Sequence, residues 1–74
     1  MENNMLDSRP SEDCGCPEED WVLSGLFVTI HLEEDGSGHI MMIGECSETE
    51  KLVACNGIED LRHQAAEWAK ELVV

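Results

Sequence analysis

The chain has 74 residues and carries 17 Asp and Glu against 4 Lys and Arg, a formal net charge of −13 at pH 7. That length holds one domain at most, and so short a chain buries only roughly 60–65% of its unfolded surface and gains from a metal, a disulfide or a second subunit. The charge argues against direct contact with nucleic acid or an anionic membrane, since both repel an acidic surface, and it favours basic partners.

The first twenty residues, MENNMLDSRPSEDCGCPEED, hold seven acids and one base and show no hydrophobic period. Such a composition does not repay the entropy of ordering, so residues 1–20 are expected to be a disordered acidic tail and residues 21–74 the folded domain. Within the tail, Cys14-Gly-Cys16 offers two thiols to a zinc ion, with His31, His39, Cys46 or Cys55 available to close a tetrahedron. The usual structural spacing is Cys-x2-Cys or wider. Cys14 and Cys16 therefore compete with a reading as incidental tail cysteines, and Cys46 and Cys55 read as small core residues.

From Trp21 to Leu32 the chain is rich in β-branched and aromatic residues and reads as a strand. Glu33-Glu-Asp-Gly-Ser-Gly38 supplies the glycines of a hairpin loop, and His39 to Cys46 is a shorter second strand. Taken as one strand, Trp21–Leu32 is apolar on both faces, a property of strands buried on both sides. One helix covers only one face, so the other calls for a second subunit, with Leu26, Val28, Ile30 and Met42 as the expected oligomer interface. His31 and His39 flank the turn and lie near one another across the strands, where two imidazoles can bind metal or respond to pH.

From Ser47 the period changes. Ser47-Glu-Thr-Glu50 fits a capping box, and Ala54, Ile58, Leu61, Ala65, Trp68 and Leu72 recur at helical spacing. One continuous amphipathic helix through Gly57 is expected, with two alternatives: a short first helix ended by Asn56-Gly57, or a third strand over Leu52 to Cys55. The fold class is thus α+β: a β-hairpin packed on one C-terminal amphipathic helix and completed by dimerisation.

The chain holds no nucleophile elbow, no phosphate-cradling glycine loop and no His-Glu-x-x-His, so a non-catalytic role is expected, without a cofactor unless zinc binds at Cys14 and Cys16. No apolar run reaches the roughly 18 residues of a membrane span, and no basic segment leads into an apolar one as in a signal peptide, which points to the cytoplasm. The acids of the turn (Glu33, Glu34, Asp35) and of the helix (Glu59, Asp60, Glu67, Glu71) are the expected partner-binding residues. Spaced negative charges can imitate nucleic-acid phosphates and occupy a basic groove.

The stretch Cys14-Gly-Cys-Pro-Glu-Glu-Asp-Trp-Val-Leu-Ser-Gly-Leu-Phe-Val-Thr-Ile30, followed by a turn, a short strand and one helix, resembles small acidic accessory proteins encoded by bacteriophages. That resemblance implies a protein of the host cytoplasm that binds and inhibits a host macromolecule, a basic or nucleic-acid-binding protein in the case of a DNA mimic. Two other readings remain: a self-assembling structural protein whose acids only confer solubility, and a small zinc-stabilised module.

Overall fold

Ser24 and Gly25 both adopt positive φ, 51° and 83°. This is the conformation of a two-residue hairpin turn whose twist matches the strands it joins. It divides the expected strand Trp21–Leu32 into two, β2 (Pro17–Leu23) and β3 (Leu26–Leu32), closed by the pair Leu23↔Leu26. The computed structural model describes residues 4–10, 15–44 and 48–72. Its remaining elements are β1 (Asn4–Pro10), β4 (Ser37–Ile43), β5 (Glu48–Ala54) and α1 (Ile58–Leu72). The strands form one antiparallel sheet in chain order, β1-β2-β3-β4-β5. The fold is therefore α+β, with five strands and one C-terminal helix among the described residues.

The turn at Ser24-Gly25 also removes the apparent second apolar face. Side chains alternate along a strand, and a two-residue turn reverses which parity faces which side. Trp21 and Leu23 before the turn thus share a face with Leu26, Val28 and Ile30 after it. Helix α1 packs on that face against β2, β3 and β4. The core is Leu23, Val28, Ile30, Ile40 and Met42 from the sheet, with Leu61, Ala65 and Ala69 from the helix. Leu26, Val28, Ile30 and Met42, expected at an oligomer interface, are placed on the helix side, and the last three are at most 1% exposed. The burial of Val28, Ile30 and Met42 is completed within one chain, and Leu26 is half-buried beside them.

The segment expected to be a disordered tail supplies β1 and most of β2, so the expected boundary at residue 20 falls inside a strand. The physical reason is charge pairing that composition does not reveal. Arg9 on β1 reaches Asp7 (3.0 Å), Asp20 (3.0 Å) and Glu18 (2.6 Å). Arg62 on the helix takes Glu19. Two arginines thereby pair with four of the seven acids that made the segment look unable to order.

The β3–β4 hairpin forms where expected, with Glu33 N–H donating to Ser37 O (2.8 Å) and Gly36 at φ 90°. The helix does not begin where expected. Glu48–Ala54 forms edge strand β5, and Ser47 of the presumed capping box lies outside the described residues. Gly57 stands at φ 97°, a left-handed conformation that cannot continue a helix, and its carbonyl accepts the first helical hydrogen bond from Leu61 N–H (3.1 Å). The apolar stripe keeps phase across Gly57 only because Ala54 falls at a helical interval from Ile58. The junction is pinned by Asp60, which accepts from Asn56 N–H (2.9 Å) and Gln64 Nε2 (3.2 Å), while Gln64 Nε2 also donates to Ala54 O (2.8 Å).

Candidate binding face

The side of the sheet away from α1 carries the other parity. In register across the strands, one row reads Arg9, Glu18, His31, His39, Leu52. The next reads Asp7, Asp20, Thr29, Met41, Glu50, and the third Asn4, Val22, Phe27, Ile43, Glu48. A register shift between Met5 and Asp7 inserts Leu6 at the β1 end, and Leu6 lines a shallow groove with Phe27, Thr29, Ile43 and Asp20. Phe27 is the chain's sole phenylalanine, stands on the central strand and is 61% exposed. Leu6 and Ile43 beside it are 56% and 42% exposed. A large apolar group at the centre of an open sheet face, with apolar neighbours on three strands, has the composition of a contact patch rather than of a scattered surface residue.

Acids surround this patch. Glu48 and Glu50 lie on edge strand β5, and Asp7, Glu18 and Asp20 on the opposite side. The latter group is partly neutralised by Arg9, and Asp20 also accepts from Thr29 Oγ1 (2.9 Å). On the β5 side no described Lys or Arg plays that part, since Lys51 points to the other face, 4.3 Å from the Trp68 ring centroid, and Glu50 instead meets His39 Nε2 at 2.9 Å. All four basic side chains are committed within the fold. Arg9 serves Asp7, Glu18 and Asp20; Lys51 caps Trp68; Arg62 holds Glu19 over Trp21; and Lys70 stands 3.7 Å from Glu67. The surface left over is strongly negative.

The acids expected to meet a partner divide by position. Glu33, Glu34 and Asp35 in the β3–β4 turn lie at the same end as Glu59 and Asp60, because Ser37 pairs with Ala54 and Cys55 Sγ donates to Gly36 O (3.4 Å). Glu67 and Glu71 lie two to three turns further along α1, roughly 12–18 Å away at 1.5 Å per residue. Glu67 stands near Lys70 and Glu33 near His31, and two others hold the backbone. Asp60 secures the strand-to-helix junction, and Asp35 accepts from Ser37 N–H (3.0 Å) and Ser37 Oγ (2.6 Å), which hold its carboxyl below the usual range. Of the expected zinc ligands, Cys16 is half-buried just before β2, and Cys14 lies outside the described residues.

Phe27 was missed as a site residue because a single long strand gives it the opposite parity to Leu26, Val28 and Ile30, Leu6 because it lay in the expected tail, and Glu48 and Glu50 because they lay in the expected helix. The Ser-Gly dipeptide at 24–25, inside an otherwise apolar run, was the available signal. Comparison with protein families, with curated proteins and with solved structures finds no match to this chain. No helix among the described residues is long and apolar enough to cross a membrane.

Proposed function

We propose that this chain is a non-catalytic binding protein that engages a basic macromolecule through the open face of its sheet, and that in a host cell it acts as an inhibitor. The observation that carries this reading is Phe27, 61% exposed on the central strand of the open sheet face. Phe27, with Leu6 and Ile43, forms the apolar anchor, and Glu48, Glu50 and the acids of the turn and helix steer a positively charged surface towards it. Because the bases are consumed internally, the field outside the molecule is that of its acids, as a mimic of nucleic-acid phosphates requires. The favoured partner is a basic or nucleic-acid-binding protein of the host cytoplasm, and the bound area combines an apolar centre with a charged rim.

Self-association through the same patch is the second reading, favoured by the contiguity of Leu6, Phe27 and Ile43. The two separate by salt. Capture of a basic partner weakens steeply between about 50 and 200 mM salt, whereas self-association of two acidic faces strengthens as their repulsion is screened. Sedimentation of the purified chain across that range, alongside capture from host lysate, is the test. A monomer at all salts with salt-sensitive capture supports partner binding; a dimer that grows with salt and captures nothing overturns it.

A further inference from the structure

We propose that the open face carries a divalent transition-metal site built on His31 and His39, with Glu33 and Glu50 as its carboxylate donors. The two histidines are direct cross-strand partners on β3 and β4. Side chains at such positions leave the backbone about 5 Å apart on one face, within reach of a single ion for two imidazoles. Each histidine already has a carboxylate beside it: His39 Nε2 stands 2.9 Å from Glu50 Oε2, and His31 Nδ1 stands 3.5 Å from Glu33 Oε1. Glu33, from the His31 pair, lines one depression together with His39 and Glu50, and Lys51 and Leu52 complete its wall.

The distances suit a metal. Two donors bound to a tetrahedral zinc ion stand about 3.3 Å apart, and the two nitrogen–oxygen separations bracket that edge. Among the described residues no three such donors are already gathered around one point, so the site closes by rotation of the carboxylates onto the ion. Two neutral imidazoles and two carboxylates suit zinc or cobalt in preference to magnesium or calcium, which favour all-oxygen shells. The inference shares Glu33 and Glu50 with the proposed binding face but does not depend on that partner, since the apolar anchor at Phe27 has a different lining.

Cobalt(II) is the probe, added to the full-length, chelator-treated protein under reducing conditions, because its absorption separates nitrogen and oxygen ligands from thiolates. The expected result is saturable binding of one ion per chain with d–d bands and no thiolate charge-transfer band. His31→Gln and His39→Gln each weaken it by about 10-fold or more, and Cys14→Ser with Cys16→Ser leaves it unchanged. Should a histidine variant fail to fold, the wild-type imidazole resonances decide: zinc must shift those of His31 and His39 and leave His63 in place. Binding that shows thiolate absorption and survives both glutamine substitutions, or no saturable binding up to about 1 mM ion, overturns the proposal.

Discussion

Arg62 on α1 and Glu19 on β2, 43 residues apart in the chain, meet in a two-pronged ion pair with Arg62 Nε donating to Glu19 Oε1 at 2.7 Å. Glu19 is only 3% exposed and also accepts from Trp21 Nε1 (2.9 Å), while the guanidinium lies 5.8 Å from the Trp21 ring centroid. Among the described residues this is the one ion pair joining helix to sheet.

Arg62→Ala leaves the Glu19 carboxylate buried without its counter-ion. The expected loss is about 2–3 kcal/mol, below the full cost of opening a buried pair because the Arg62 side chain is itself 36% exposed and water can enter. Urea unfolding of the variant measures it. Arg9→Ala, whose ion pairs are solvent-exposed, has a much smaller effect in the same assay.

The Glu19 carboxyl is held below its usual value of 4.5, chiefly by the hydrogen bond from Arg62 and also by that from Trp21, against the opposing effect of burial. A carboxyl lowered in the folded state contributes stability that is fully present above its unfolded value and lost as pH falls through the folded one. The stability difference between wild type and Glu19→Gln is therefore constant from neutral pH down to about 4.5 and shrinks below it. Comparing the two proteins at each pH cancels the repulsion among the other acids. A difference that grew on acidification would contradict the assignment.

Gly38 lies opposite Leu61, and a Cβ there would overlap the Leu61 side chain, which is 0% exposed. Gly38→Ala overpacks the core and is expected to cost about 1–3 kcal/mol. Leu61→Val in the same chain removes part of the overlap, so the double variant should be more stable than the sum of the two single losses predicts. Thermal or urea unfolding of the four proteins closes that cycle, and strict additivity would mean the glycine is not there for Leu61.

The sequence made legible what depends on local pattern: the α+β class, the β3–β4 hairpin with its Asp-Gly turn, and the amphipathic helix from Ile58. It hid what depends on pairing at a distance. The acids of residues 18–20 look unfoldable until Arg9 and Arg62 are placed beside them. A continuous apolar run hides the turn at Ser24-Gly25, and with it the parity of every residue that follows. That reversal puts Phe27 on the open face and moves Leu26, Val28, Ile30 and Met42 from an expected interface to the helix side. Over Thr49–Ala54 a capping pattern lost to strand pairing with β4, since Gly57 breaks the helix at its left-handed φ.

Among the described residues Glu48 and Glu50 have no Lys or Arg beside them on their face, unlike Asp20, which has Arg9; Glu50 meets only His39. Replacing both with Gln lowers the local negative field without touching the core. The expected outcome is slower association with a basic partner and a shallower salt dependence, with an unfolding midpoint within about 0.5 kcal/mol of wild type. Stopped-flow binding at two ionic strengths reads both.

The most direct test of the binding face is a quantitative capture from host lysate with wild type and Phe27→Ala side by side. Phe27 is 61% exposed, so its removal should change unfolding free energy by under about 1 kcal/mol. The account predicts that a basic protein retained by wild type drops by about 10-fold or more with Phe27→Ala, while circular dichroism is unchanged. Equal retention of that protein by the two chains would contradict it and move the interface away from the open sheet.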